Sequence, residues 1–170
     1  NAIGFRESTW DELMRDSIEM RQLVDIGFKQ YSESVNNFIK TRYAYQIIRL
    51  THYLKDFNGT ITLYDSLITH LNSQSIIKYW ALSHKAGALW SIGEYAQSSY
   101  TFSKIFDECL SKRLLAEQNF KINEASLLNE TLELCQNNHE KAVLWFLHSY
   151  NNNDMRGLKR IYELEPESAY

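Results

Sequence analysis

Residues 91–102 read SIGEYAQSSYTF and residues 53–64 read YLKDFNGTITLY, and a shift of 38 aligns the two by residue type more than by identity. The shift pairs Leu54 with Ile92, Asp56 with Glu94, Phe57 with Tyr95, Thr60 with Ser98, Tyr64 with Phe102, Leu67 with Ile105 and Ile68 with Phe106. A chain that carries one unit twice is restricted to architectures in which that unit can lie beside its own copy. In the later copy Tyr95, Ser98, Phe102, Ile105, Phe106 and Cys109 recur every three or four residues, which predicts one buried face of an amphipathic helix. Phe57, Thr60, Tyr64, Leu67, Ile68 and Leu71 form the same face in the earlier copy.

A further helical pattern precedes each copy, through Tyr43, Ile47, Ile48, Leu50 and Tyr53 in the first and Leu82, Ala86, Leu89, Trp90 and Ile92 in the second. Each unit is therefore expected to be a helix, a turn and a helix, with the turns at Lys55-Asp56 and Gly93-Glu94. Gly93 can take the left-handed conformation that ends a helix at little cost. Two antiparallel helices cannot cover their shared apolar face alone, so such pairs stack in a row. Six glycines and one proline in 170 residues favour long helices with short connections over hairpin-linked strands. With 44% hydrophobic and 23% charged residues the chain can support a core, and one of this length buries roughly two thirds of its unfolded surface. The expected fold class is all-α.

Gly93-Glu94-Tyr95, Ser98 and Phe102 resemble the turn and second helix of a tetratricopeptide repeat, with Gly-x-Tyr at the turn, a small residue three positions on and a large aromatic four beyond that. The resemblance covers about 42–110, and more weakly 136–168, where ArgIleTyrGluLeuGluPro at 160–166 is similar to the proline-terminated end of a repeat. It implies a third pair, with helices at about 139–150 and 153–163 and Ala142 and Trp145 facing inward. The repeats are degenerate: the period is 38 where the family has 34, Lys55 replaces the turn glycine, and Lys85 and Ile48 stand where a leucine and a small residue are usual. The architecture implied is a right-handed α-solenoid of stacked antiparallel helix pairs.

The whole chain, 1–170, then reads as a single helical-repeat domain. Asn1 and Ala2 read as a cloning scar, 3–32 as a leading helix, 33–74 as the first pair and 75–112 as the second. Residues 113–136 read as connecting helices using Leu114, Leu115, Phe120, Leu127, Leu128, Leu132 and Leu134, and 137–168 as the third pair. Thr9 and Glu12 have the spacing of a capping box ahead of Leu13, Met14, Ile18, Leu23 and Val24, with a break expected around Gly27.

Enzyme signatures fail one by one. Gly87 and Gly93 have five residues between them where a phosphate loop has four, and Glu94-Tyr95 follow in place of Lys and Ser or Thr. His139-Glu140 begins like a zinc-protease helix, but Val143 holds the place of the second histidine. No Gly-x-Ser-x-Gly elbow is present. His52, His70, His84, His139 and His148 never fall four apart, so no one helix aims two imidazoles at a metal. Cys109 and Cys135 match no zinc or redox spacing and read as small core residues. Asn58-Gly59-Thr60 and Asn129-Glu130-Thr131 match the glycosylation sequon, but Asn58 stands where it would cap the second helix of its pair. Asn151-Asn152-Asn153-Asp154 reads as a turn with an N-cap. No catalytic, cofactor-binding or metal-binding residue is expected.

A formal charge of −3 without a basic stripe argues against nucleic acid, and uncharged runs such as Ala86 to Gly93 are far short of the about 18 residues needed to span a bilayer. The family resemblance places partner contacts on the first helix of each pair. Carried over, this gives Arg42, Tyr45, Arg49, His52 and Tyr53, then Trp80, Ser83, Gly87 and Trp90. Such a set suits an acidic or aromatic-bearing peptide, since arginine forks fit carboxylates and aromatic rings give contact area at low entropy cost. The pattern with which some family members clamp a terminal carboxylate is absent, because Arg49 and Gly87 stand where Asn is expected. The expected function is a non-catalytic protein-interaction module of unknown partner. Its rivals are a structural segment whose groove is filled by its own flanking regions, and an enzyme built on helices.

Overall fold

The computed structural model describes residues 17–71 and 75–167. Among them the chain is all-α, without a strand. The helices are α1 Ser17–Glu33, α2 Asn37–Tyr53, α3 Phe57–Leu67, α4 Ile77–Ser91, α5 Tyr95–Glu108, α6 Arg113–Asn119, α7 Ala125–Glu133, α8 Asn138–Asn152 and α9 Arg156–Leu164, with a 3-10 turn at Leu110–Lys112. Asn1, Ala2, the Thr9–Glu12 capping box, Leu13, Met14, residues 72–74 and residue 168 lie outside the described residues. No described helix is long and apolar enough to cross a membrane.

The echo in the sequence is an echo in the backbone. At the end of α2, Lys55 takes φ 62, its N–H donates to the His52 carbonyl at 2.9 Å, and the Asp56 N–H reaches back to the Thr51 carbonyl at 3.2 Å. At the end of α4, Gly93 takes φ 93, its N–H donates to Trp90 at 3.1 Å, and the Glu94 N–H reaches Leu89 at 2.9 Å. This is the Schellman closure, in which a left-handed residue turns two amides back onto the last turn of the helix. It occurs a third time after α8, where Asn153 has φ 51 and Asp154 donates to the Ser149 carbonyl at 2.9 Å. The pairs α2–α3, α4–α5 and α8–α9 therefore turn by one device.

The aromatic partners repeat as well. Phe57 faces His52 across the first turn with ring centroids 5.5 Å apart, and Tyr95 faces Trp90 across the second at 4.5 Å. Thr60 and Ser98 are fully buried, and the Ser98 hydroxyl donates to the Ala86 carbonyl at 2.8 Å, a contact only a small residue permits. Tyr95 itself is 46% exposed, so it is not on the buried face that its spacing predicts. At the start of α3 the cap is Asp56, whose carboxylate accepts from the Gly59 N–H at 2.9 Å, and Asn58 lies within the first turn instead.

The expected break at Gly27 does not occur. Helix α1 runs through it, and a Cβ there would come 2.8 Å from Ile47 Cγ1, so the glycine lets α1 and α2 approach. The chain breaks at 34–36, where the Asn36 side chain caps α2 by accepting from the Phe38 N–H at 2.8 Å.

Among the described residues two apolar clusters form the interior. Ala44, Ile47, Ile48, Leu67, Ile68 and Ala81 join α2, α3 and α4. Ala86, Phe102, Ile105, Phe106, Phe120, Leu144 and Leu147 join α4 to α8. Ala142 is fully buried, and Trp145 is half-buried against the second cluster. Cys109 is buried and Cys135 half-buried, both as free thiols, and burial pushes the Cys135 thiol up to about 11. The polar run after α8 works in two ways: Asn151 donates to the Glu117 and Phe120 carbonyls and Asn152 to Ile122, while Asn153 is the left-handed residue of the turn.

Candidate functional site

The first helices of the first two pairs, α2 and α4, pack directly against each other. Their facing stripes repeat every three or four residues, so successive rings stack along one seam. Tyr45 meets the Trp80 ring edge-on at 6.0 Å. His84, one turn beyond Trp80, lies 5.9 Å from Tyr45, 5.2 Å from His52 and 5.9 Å from Tyr53. Gly87 makes room for this, because a Cβ there would sit 3.3 Å from His52 Cε1. The Ser83 hydroxyl turns back onto its own helix and donates to the Trp80 carbonyl at 2.7 Å.

Cations edge this aromatic floor. The Arg49 guanidinium lies 5.3 Å over the Tyr53 ring, and its Nη1 donates to the Gln46 side chain at 3.3 Å. From the 3-10 turn after α5, the Lys112 ammonium sits 5.5 Å over Trp80, while the Trp80 indole N–H donates to Ser111 at 3.2 Å. Neither Arg49 nor Lys112 forms an ion pair among the described residues. The nearest bridge along α4, Lys85 to Asp65 at 2.6 Å, ties α4 to α3.

The electrostatics agree with a basic, partly desolvated surface. Burial, then electrostatic repulsion involving His52, Lys112 and Arg49, pushes the His84 imidazole down to about 3, so it stays neutral. Burial raises the Tyr45 phenol against the opposing pull of Arg49. Among the described residues no group of three His, Cys, Asp or Glu is placed to hold a metal ion. What the seam offers chemically is an aromatic floor for an apolar side chain, with charge-assisted donors at its rim for an anionic one.

Of the residues singled out by sequence, Tyr45, Arg49, His52, Tyr53 and Trp80 come together. Arg42 does not, for it stacks 4.4 Å over Phe38, one turn earlier and exposed. Trp90 does not either: it lies against Tyr95, with Lys121 5.5 Å over its ring. Sequence reasoning missed His84 and Lys112. The spacing from Trp80 to His84 is one helical turn and held the signal for the first. No family model, curated protein or solved structure matches the chain.

Proposed function

We propose that this chain is a non-catalytic protein-interaction module, a right-handed α-solenoid of tetratricopeptide type that binds a peptide along the α2–α4 seam. Three like turns, each closed by a left-handed residue, support the repeat reading. The buried small residues Thr60 and Ser98, in the second helix of their pairs, support it too. The peptide carries a carboxylate beside an aromatic or large apolar residue. The observation that carries this reading is the placement of Arg49 and Lys112 over Tyr53 and Trp80, with no carboxylate on either cation among the described residues.

A panel of labelled short peptides, in which Asp or Glu flanks Phe, Tyr or Trp, tests it by fluorescence anisotropy. Hydrogen bonds to charged groups contribute about 1.5–3 kcal/mol, so Arg49→Ala should weaken the retained peptides by about tenfold or more, with affinity falling as salt rises. Equal binding by the wild type and by an Arg49→Ala, Lys112→Ala protein would refute the site.

A further inference from the structure

We infer that the third helix pair carries a second docking surface, an open trough over α8 between α7 and α9, which takes an amphipathic helix bearing Lys or Arg along one edge. This surface is distinct from the α2–α4 seam and does not rest on it. Ile47, Lys85 and Trp145 each stand eight residues before the left-handed residue of their turn, Lys55, Gly93 and Asn153, and so occupy equivalent places. Ile47 is covered by α1 at Gly27 and is 1% exposed. Lys85 is met by α3, through Asp65 at 2.6 Å and the Tyr64 ring at 5.3 Å. In both pairs the helix that precedes in the chain lies over this position.

Helix α7 precedes α8 in the same way but packs mainly on α5. Two clefts of about 580 and 680 Å³ open where the covering helix would be, and they share Trp145 and Arg160. Lys141, Trp145, His148 and Asn152 fall at one helical stripe of α8 and form the floor. At 1.5 Å per residue that floor is about 16 Å long, three turns of helix. Leu128 and Leu132 of α7 and Leu164 of α9 line the sides, so the trough has the apolar centre that a helix-in-groove contact uses.

Charge settles the orientation. On the α9 side Arg160 is already bonded to Glu163 at 2.9 Å and Arg156 to Asp154 at 2.8 Å. On the α7 side Glu124 and Glu133 form no ion pair among the described residues, and α7, ASLLNETLE, contains no cation. The remaining charge is Lys141 on the floor, at the Glu133 end. An incoming helix therefore sets its apolar stripe on Trp145 and its basic edge against α7.

The test uses the full chain and a labelled peptide of about twelve residues, the length of the floor, with leucines on one helical face and lysines along one flank. Two controls are a scrambled peptide of the same composition and the same design with glutamates for lysines. The Leu/Lys helix is expected to bind at least about tenfold more tightly than either control. Glu124→Lys with Glu133→Lys should weaken it by about tenfold or more, leaving the circular dichroism spectrum unchanged, while Arg49→Ala with Lys112→Ala leaves it intact. Equal binding of the scrambled peptide, no saturable binding, indifference to the glutamate changes or dependence on Arg49 and Lys112 would each overturn the proposal.

Discussion

Replacing Gly93 by alanine tests the turn on which the helix pairs depend. Its φ of 93 lies where an L side chain is strained, yet a Cβ built there meets nothing within 4 Å. The cost is therefore backbone strain alone, of about 1–2 kcal/mol for an L residue in the left-handed region. Against this, alanine restricts the unfolded chain and returns about 0.4–1 kcal/mol. Taking the middle of each range, the net expectation is a loss of about 0.8 kcal/mol, which in a chain of this size lowers Tm by about 2–4 °C for each kcal/mol. Lys55→Gly is the mirror experiment. It removes strain of about 1 kcal/mol at φ 62 and gives up a similar entropic gain, so stability should stay within about half a kcal/mol of wild type. Urea unfolding of both variants, with circular dichroism as the signal, reads the difference. A Gly93→Ala protein as stable as wild type, or a Lys55→Gly protein destabilised by more than about 1 kcal/mol, would refute the equivalence of the two turns.

The hydroxyl of Ser149 is buried without a hydrogen-bond partner among the described residues and sits 1.7 Å from where a Gly157 Cβ would be. Ser149→Ala is expected to stabilise by about 1 kcal/mol, and Gly157→Ala to destabilise by about 1–3 kcal/mol, less in the double variant, as a urea double-mutant cycle would show. Acid and alkali should act on different histidines. His84 is held near 3 while its unfolded value is 6.5, so the unfolded state binds a proton that the native state refuses; stability should fall below pH 6.5 by up to about 1.4 kcal/mol per unit, and His84→Phe should flatten that limb. His139 bridges Glu165 at 3.1 Å and Asp107 at 2.9 Å, which raises its pKa. Its stabilisation is complete below 6.5 and is lost as pH rises through the raised value, so the urea midpoint should drop on the alkaline side for wild type and less for His139→Gln.

The turns were legible because their signal is local: a left-handed residue needs only its own backbone and the two amides it returns, and the 38-residue shift brings Lys55 onto Gly93. Gly27 misled for the opposite reason. A glycine that breaks a helix and one that admits a neighbouring helix look alike in sequence, and here the neighbour is Ile47, 20 positions on (27 to 47). The floor of the seam lies on the first helices of two successive pairs, where the family resemblance implies partner contacts, which is how Tyr45, Arg49, His52, Tyr53 and Trp80 were singled out. Trp90 shares that placement but sits three residues before Gly93, and its ring swings across the turn to Tyr95. Lys112 was invisible to periodicity because a 3-10 turn delivers it from beyond α5.

Helix α4 contributes Ala81 to one interior cluster and Ala86 to the other. The same rod is thus the party wall of two rooms, and neither can be opened without exposing a side of it. Amide hydrogens along Ala81–Leu89 should consequently exchange with solvent last, only when both halves of the molecule come apart together, which makes this helix the keystone of its cooperativity.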